Sequence, residues 1–349
     1  MQSAVAPARP DGLEHANNFD ALRLAAAWLV MVSHQFFFLG RAQPAPTGHT
    51  LGEVAVMVFF TISGYLVAES WYRDPHIVRF LLRRMLRIWP ALATATLFIV
   101  FAGALLTTAP TGTYFGHETR HFIARNLELR QAFHLPGVFD GEPSGAVNGS
   151  WWTIRLETKC YLYLGLLGLI GLRRRLLSLL ALIACAVTFA RTLPGHAGAD
   201  AHQNLYTLYV AFFFTGTCAR QFRAELLRAR RWLWIVILAL LAIASATHLP
   251  ALGEWAAIPA VVLAIGTRST PGLRAAGRFG DLSYGTYLYA YFVQQAIIRS
   301  WPGTPSLAGT LAFAIVVSSA IAWLSWHTVE RSALRLKPQL RRWFPDHAP

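Results

Sequence analysis

Long apolar windows separated by short polar connections dominate the sequence. Ten such windows run along the 349 residues, and most reach the ~20 apolar residues that a helix needs to cross a bilayer core. They lie at about residues 20–40, 51–70, 88–108, 151–171, 176–192, 203–219, 232–249, 254–267, 282–300 and 307–328. We therefore expect an all-α polytopic membrane protein with about ten transmembrane helices. The lipid bilayer is then its first partner.

The charge content supports this interpretation. Only 14% of the residues are charged, whereas a soluble domain carries about a quarter. The formal net charge of +14 would point to nucleic acid in a soluble protein. Here the basic residues are spread over short connections between apolar windows, so we expect no nucleic-acid partner.

The basic residues also predict the orientation of the chain. Roughly 23 of the 31 Lys and Arg residues fall at the N-terminus, in alternate connections and in the C-terminal tail. The intervening connections hold only six, namely Arg41, Arg120, Arg125, Arg130, Arg191 and Arg299. Since basic connections stay in the cytoplasm, we expect both termini to be cytoplasmic. A bacterial inner membrane is the expected location.

These windows also set the expected domain organisation. Residues 1–18 form a polar cytoplasmic tail without the apolar core of a signal peptide. Residues 19–331 form a single transmembrane domain, in which residues 109–148 make a long outside loop. Residues 332–349 form a basic cytoplasmic tail. The three cysteines lie in apolar stretches without close spacing, so they indicate neither a disulfide framework nor a metal site.

The first window carries two basic side chains, Arg23 and His34. They are eleven positions apart, which places them about 20° from alignment and about 16 Å apart along a helix. Asp20 lies three positions before Arg23, on the same side. The stripe therefore runs from a cytoplasmic cation to an imidazole within the membrane. Such residues can be lipid-facing or packed, but ionisable groups inside spans are usually functional.

Further polar side chains lie in or beside later windows. Arg79, Arg83 and Arg87 are spaced by four and share one helix face, which suits either membrane topology or a phosphate clamp. Ser63 and Gly64 allow close approach of the second window to a neighbour. Glu157 opens the fourth window between Arg155 and Lys159, where it can orient an imidazole or neutralise Arg155.

Taken together, these segments resemble the acyltransferase-3 family of integral-membrane O-acyltransferases. The similar segments follow the family's order: DALR (20–23) with His34, FFTISGYL (59–66), RRMLRIWP (83–90), WTIRLE (152–157), GDLSYGTYL (280–288) and VE (329–330). They cover about residues 17–331. The sequence departs from the family pattern at Ala21, Ala290 and Ser332, none of which is Arg23 or His34.

The resemblance implies an enzyme that transfers an acyl group, usually acetyl from acetyl-CoA in the cytoplasm, to a hydroxyl group. The acceptor is expected to be a sugar of a surface polysaccharide, a lipid-linked glycan or a related molecule. The chain ends soon after its last window, so it resembles the stand-alone type without a C-terminal hydrolase-like domain. No metal is expected as a cofactor.

The matched segments also imply site residues. We predict that His34 is the general base, or a transient acyl carrier, and that it acts with Arg23, Asp20 and Glu157. For the acyl-CoA we predict contacts with Arg23, Arg83, Arg84, Arg87, Ser63, Gly64 and Tyr65. For the acceptor we predict contacts with Trp152, Ser283 and Tyr284.

Two other functions are compatible with parts of the sequence. His117-Glu118-Thr119-Arg120-His121 matches the H-E-x-x-H pattern of zinc proteases, with His134 or Glu128 as a possible third ligand. A multispan transporter or flippase of a glycan or lipid precursor would also place charged residues in its spans. Asn148-Gly149-Ser150 fits the glycosylation sequon and falls in the predicted outside loop.

Overall fold

The structure is a computed structural model that describes residues 17–170, 174–190, 201–247 and 250–345. Short 3₁₀ turns cover Ala275–Phe279 and Lys337–Gln339, and a π-turn covers Trp326–Glu330. The helices are α1 (Phe19–Phe38), α2 (Leu51–Arg73), α3 (Ile77–Gly103), α4 (Thr111–Tyr114), α5 (His117–Leu127), α6 (Trp152–Leu169), α7 (Arg174–Ala190), α8 (Ala201–Gln221), α9 (Arg223–Arg228), α10 (Arg230–Thr247), α11 (Pro250–Gly266), α12 (Pro271–Arg274), α13 (Leu282–Ser300), α14 (Leu307–Ser325), α15 (Arg331–Leu334) and α16 (Leu340–Trp343).

The all-α prediction is confirmed, because every regular element in the described ranges is helical. Each of the ten apolar windows overlaps a helix of at least 17 residues. By length and composition, four helical stretches are long and apolar enough to cross a membrane, namely Phe19–Phe38, Leu51–Arg73, Ile77–Gly103 and Leu307–Trp343. Shorter apolar helices cover Ser178–Val187 and Leu252–Gly266. The number of spans, about ten, stays a prediction.

Local signals explain where α2 and α3 begin. Thr50 accepts a hydrogen bond from the backbone N–H of Glu53 at 3.3 Å, and the Glu53 carboxylate accepts one from Thr50 at 2.7 Å. This capping box satisfies two N–H groups at the start of α2. Helix α3 begins eleven residues before its apolar window, at Ile77. The arginines that precede this window therefore belong to the same helix.

Helices α1 and α13 run parallel and define the two ends of the bundle. Near their N-termini, Arg23 lies 3.6 Å from Asp281. Further along, Gln294 donates a hydrogen bond to the Met31 carbonyl at 2.8 Å. We call the end with Arg23 and Asp281 the arginine end. The opposite end, where Phe38 packs against the segment after α5, is the loop end.

Helix α2 packs closely along α8 through glycines. A Cβ atom at Gly64 would overlap the carbonyl oxygen of Phe213, and one at Gly216 would overlap that of Thr61. Thr217 donates a hydrogen bond to the Gly64 carbonyl at 3.2 Å. Small residues let two helix backbones approach in this way, and here they fix α2 beside the bundle core.

The segment predicted as the loop 109–148 is packed against the bundle. It contains α4 and α5, and the Tyr114 hydroxyl donates to the Val100 carbonyl of α3 at 2.6 Å. Val138, Phe139 and Val147 are fully buried. The segment therefore forms part of the core at the loop end, rather than only lying across a surface.

Parts of the predicted organisation lie outside the described residues. These parts are residues 1–16 of the N-terminal tail, residues 346–349 of the C-terminal tail, the connections 171–173 and 191–200, and residues 248–249 at the end of the seventh apolar window. The domain boundaries at residues 18, 331 and 332 remain predictions.

Candidate functional site

A cavity extends from the arginine end between α1, α2, α3, α6 and α13. The space between its walls, including the open mouth, is about 750 Å³. Its polar lining consists of Arg23, Ser63, Arg84, Arg87, Thr153, Glu157, Tyr161, Ser283, Tyr284 and Tyr287. Its apolar lining consists of Val56, Phe59, Phe60, Val67, Ile88 and Ile154. The structure thus brings together seven of the residues that the sequence singled out.

Asp281 organises the mouth of the cavity. It accepts hydrogen bonds from Arg87 and, at 2.6 Å, from Ser283, and it lies 3.6 Å from Arg23. Burial alone would raise the pKa of Asp281, but the charges of Arg87 and Arg23 outweigh it and hold this pKa below its ordinary value. Asp281 therefore stays ionised and fixes two guanidinium groups at the mouth.

Arg84 is the third guanidinium of the cavity. Its Nη2 atom lies 3.4 Å from the Ser70 hydroxyl, while its buried Nε atom has no hydrogen-bond partner among the described residues. With Glu157 as the one acidic lining residue, the three arginines leave the cavity with an excess of positive charge. A buried donor without a partner, next to two further guanidinium groups, suits a phosphate-bearing ligand.

Tyr284 and Ser283 line the cavity beside Asp281. The Arg87 guanidinium lies 5.5 Å from the centre of the Tyr284 ring, which is within cation–π range. The Tyr284 hydroxyl donates to the Ile88 carbonyl at 3.3 Å. These two residues were predicted to contact the acceptor, and the structure places them among the arginines.

A hydroxyl–carboxylate cluster forms another part of the cavity lining. Ser63 donates a hydrogen bond to Glu157 Oε1 at 2.6 Å, and Tyr161 donates to the same oxygen. Glu157 and Tyr161 are four residues apart, so they share one face of α6. Arg155 is exposed on another part of the helix. Glu157 thus holds two hydroxyl groups. The sequence suggested an imidazole or Arg155 as its partner, whereas the structure shows a contact with Ser63.

His34 lies just beyond the described lining of the cavity. Its ring meets the Tyr291 ring edge-on, with centroids 5.0 Å apart, and the Phe38 ring at 6.0 Å. Val30, one turn before His34, packs with Tyr287 at the inner end of the cavity. Tyr291 follows Tyr287 by one turn, about 6 Å. His34 therefore sits one helical turn past the cavity, on the stripe that leads back to Arg23.

The other predicted charged residues form pairs near the mouth. Asp20 lies 3.7 Å from Arg23. Arg83 donates to Asp74 at 2.6 Å, and Arg79 donates to both oxygens of the same carboxylate. Burial alone would raise the pKa of Asp74, but these hydrogen bonds and charges hold it below its ordinary value. The three arginines on this face of α3 therefore differ in their surroundings. Arg79 and Arg83 bind Asp74, whereas Arg87 lines the cavity.

Three further predicted residues pack outside the described lining. Gly64 contacts α8, as described above. Tyr65 packs on Phe19, with ring centroids 5.5 Å apart. Trp152 packs on the rings of two tyrosines of α8, with centroids 5.2 and 5.8 Å away. Each of these contacts is a packing contact, and the predicted binding roles stay predictions.

The H-E-x-x-H segment forms a helix, α5, as its pattern requires. The rings of His117 and His121 are stacked at 6.2 Å, and the side chains of His117 and Glu118 are 82% and 73% exposed. Within the described ranges, no group of three or more His, Cys, Asp or Glu side chains could hold a metal ion. Among the described residues, His117 and His121 therefore have no third side chain nearby that could complete a zinc site.

Sequence reasoning missed Asp281, Tyr161 and Tyr287. Asp281 lies inside the matched segment GDLSYGTYL, directly before an apolar window, where an acidic residue is unusual enough to be noticed. Tyr161 follows Glu157 by four positions, so the helical period alone could have joined them. Tyr287 carries no signal of this kind, because its position depends on how α13 packs on α1.

The chain is similar to known proteins along most of its length. A family model described as an acyltransferase domain matches residues 17–327. An O-acetyl transferase of Shigella phage Sf6 is 28% identical over 345 residues, covering 94% of this chain and 99% of the relative. Nodulation protein 10 of Rhizobium leguminosarum bv. viciae is 28% identical over 383 residues, covering 96% and 98%. No solved structure matches the chain.

Proposed function

The chain belongs to the acyltransferase-3 family, and we propose that it transfers an acetyl group from acetyl-CoA to a sugar hydroxyl. The acceptor would be part of a surface polysaccharide, a lipid-linked glycan or a related molecule. Family membership makes the chain an O-acyltransferase. The name of the Shigella phage relative, an O-acetyl transferase, supports acetyl as the group transferred.

We further propose a multi-pass arrangement in a bacterial inner membrane. Residues 19–331 form one transmembrane domain of about ten helices, with both termini and the arginine end in the cytoplasm. Two findings support this arrangement: four helical stretches have the length and composition of spans, and each apolar window coincides with a helix. The distribution of Lys and Arg gives the direction.

The observation that carries the proposal is the arginine-lined cavity with a hydroxyl–carboxylate cluster inside it. Arg23, Arg84 and Arg87 would bind the phosphates of acyl-CoA, since a guanidinium fork fits phosphate oxygens. Bound there, acyl-CoA supplies the activated acyl group as a thioester. Arg83 binds Asp74 and is not among the lining residues of this cavity.

The remaining residues position the acyl group and move the proton. Glu157 holds the Ser63 hydroxyl inside the cavity. Neither ring nitrogen of His34 bonds to another described residue, so a nitrogen is free to accept a proton. His34 would accept the proton of the acceptor hydroxyl while the new C–O bond forms and the thioester C–S bond breaks. It would then return this proton to the departing sulfur.

The test is a transfer assay with purified protein in lipid nanodiscs. The acceptor is surface glycan extracted from a host strain that lacks the gene, and the readouts are acetyl-CoA consumption and glycan mass. We expect the glycan to gain one acetyl mass per modified site. His34→Ala should lower the rate by at least about 100-fold. The matched control is His121→Ala, which changes an exposed histidine of α5 and should leave the rate unchanged.

Three outcomes would contradict the proposal. Near wild-type transfer by a folded His34→Ala protein would exclude His34 as the base. Transport of unmodified glycan across proteoliposomes, without any acetyl gain, would favour the transporter alternative. Loss of activity in His121→Ala together with stoichiometric zinc would favour the protease alternative instead.

A further inference from the structure

A short stretch at the loop end, Asn148–Trp151, buries polar side chains that have no partner. Asn148 is fully buried, and neither its amide nitrogen nor its amide oxygen has a hydrogen-bond partner among the described residues. Ser150 is 5% exposed, and its hydroxyl is likewise unpartnered. Buried polar groups are almost always hydrogen-bonded, so three such atoms in neighbouring residues need a physical explanation.

The backbone around these side chains is well bonded. The Trp151 indole donates to the Leu288 carbonyl at 3.0 Å, and the Tyr287 hydroxyl donates to the Ser150 carbonyl at 2.7 Å. The backbone N–H of Trp151 donates to the Asn148 carbonyl at 3.0 Å. The stretch is therefore held firmly against α13, and its unpaired side chains do not result from a poorly packed loop.

The same stretch approaches the proposed catalytic histidine. A Cβ atom at Gly149 would lie only 2.5 Å from ring atoms of Tyr291, so a glycine is needed for this approach. The Tyr291 ring in turn meets His34, with centroids 5.0 Å apart. Asn148 and Ser150 flank the glycine that packs on the Tyr291 ring. The residues with unpaired polar groups are thus the chain neighbours of a glycine that contacts the same ring as the imidazole.

We propose that Asn148 and Ser150 form the subsite for the acceptor sugar. An asparagine amide and a serine hydroxyl can each both donate and accept hydrogen bonds, as each sugar hydroxyl can. Two neighbouring hydroxyls of a sugar ring would therefore satisfy groups that the protein leaves unsatisfied. Both residues are uncharged, which suits a neutral sugar. This inference rests on the proposed function, and it defines the substrate side of the same site.

The location of the subsite also separates donor from acceptor. The arginines lie at one end of α1, whereas Asn148 and Ser150 lie near the other end. The acceptor would thus approach His34 from the loop end, opposite the donor phosphates.

The test compares Asn148→Ala with Asn126→Ala, a buried asparagine of the same segment. Asn126 donates to the Phe122 and Ala132 carbonyls and accepts from the Ala132 N–H, so its amide is fully used for folding. The acceptor is again glycan from the host strain that lacks the gene. The readouts are the KM for this glycan, the KM for acetyl-CoA and the thermal midpoint. Ser150→Ala is a second, smaller change.

We expect Asn148→Ala to raise the glycan KM about tenfold or more, while the KM for acetyl-CoA and the thermal midpoint stay unchanged. Ser150→Ala should raise the glycan KM by a smaller factor. Asn126→Ala should lower the thermal midpoint and leave the glycan KM unchanged. The structural alternative is that Asn148 bonds a buried water that stabilises the fold. It predicts a lowered midpoint in Asn148→Ala with an unchanged glycan KM, and that result would overturn the inference.

The outcomes separate this inference from the function on which it rests. If the wild-type protein transfers no acetyl group to the glycan, the proposed function fails, and the acceptor subsite fails with it. If the wild type transfers acetyl but Asn148→Ala and Ser150→Ala keep its glycan KM, only the subsite is wrong.

Discussion

Among single side chains, Arg84 gives the most direct test of the donor site. Its buried Nε atom has no hydrogen-bond partner in the part of the chain that the structure describes, whereas Arg87 is bound to Asp281. We expect Arg84→Ala to raise the KM for acetyl-CoA by roughly tenfold or more, because a charge-assisted hydrogen bond to phosphate is lost. The KM for S-acetyl-N-acetylcysteamine, a thioester without phosphates, should stay unchanged. Arg335→Ala, at an exposed arginine near the C-terminus, is the control.

A different outcome would have a clear meaning. If Arg84→Ala raised both thioester KM values equally, Arg84 would shape the cavity rather than bind phosphate.

Glu157 is the second side chain whose role can be isolated. It accepts hydrogen bonds from both Ser63 and Tyr161. Glutamine at this position keeps the size and an amide oxygen that can accept both bonds, but it loses the negative charge. We expect Glu157→Gln to lower kcat about 100-fold, with little change in the KM for acetyl-CoA. The rate with saturating donor and glycan measures this, and Glu118→Gln, at an exposed glutamate, is the control. An unchanged kcat would remove Glu157 from the mechanism.

Sequence patterns predict part of this site, and there are physical reasons why they do not predict the rest. The helical period predicted that Arg23 and His34 lie on one face of α1. In the structure, α13 packs parallel to α1, and residues near both side chains belong to it. The same period could not show that Arg79 and Arg83 have a different acidic partner from Arg87. The partner of Arg87, Asp281, lies 194 residues from it. Contacts across such separations depend on helix packing, which no local pattern specifies.

Between whole helices, α2 and α8 approach each other closely at Gly64. Gly64 has no room for a Cβ atom, because the Phe213 carbonyl occupies that space. We expect Gly64→Ala to destabilise the protein by ~1–3 kcal/mol, the usual range for overpacking a core. Thermal unfolding in detergent, followed by tryptophan fluorescence, would measure it. Gly112→Ala, where nothing lies within 4 Å, is the matched control. Equal midpoints for the two variants would contradict this packing.

A second inter-element contact joins the loop between α1 and α2 to α11. His49 Nδ1 lies 2.5 Å from Glu254 Oε2, and Thr47 donates to the other oxygen. This hydrogen bond raises the pKa of His49 above its ordinary value, and the effect exceeds that of burial. The protonated histidine is therefore more favourable in the folded than in the unfolded chain. Its stabilisation is complete below the unfolded pKa of about 6.5 and is lost as pH rises through the raised pKa.

The expected result is a pH-dependent difference between wild type and His49→Gln. The thermal midpoint of the wild type should exceed that of the variant most clearly below pH 6.5. The difference should shrink as the pH rises through the raised pKa of His49. His121→Gln, at an exposed histidine of α5, should show no such trend. A difference that grows with pH would have the wrong sign and would contradict the contact.

For the whole molecule, the proposed topology decides which side of the membrane each substrate comes from. It places acyl-CoA at the cytoplasmic arginine end and the acceptor at the loop end. It predicts that the segment with α4 and α5 faces outwards and that α15 faces the cytoplasm. Thr113 and Ser332 are exposed positions in these two regions, and each accepts a cysteine with little change in size. The native Cys160 and Cys218 are buried, and Cys185 is partly buried, within helices of the bundle. Background labelling should therefore be low.

The measurement is labelling of intact cells with a membrane-impermeant maleimide, before and after permeabilisation. Thr113→Cys should react in intact cells, whereas Ser332→Cys should react only after permeabilisation. The wild type, with its three native cysteines, is the control in both conditions. The reverse pattern would invert the molecule and place the arginine-lined cavity on the side without acyl-CoA. Labelling of both variants in intact cells would instead put the two segments on the same side, which an odd number of crossings between Thr113 and Ser332 does not allow.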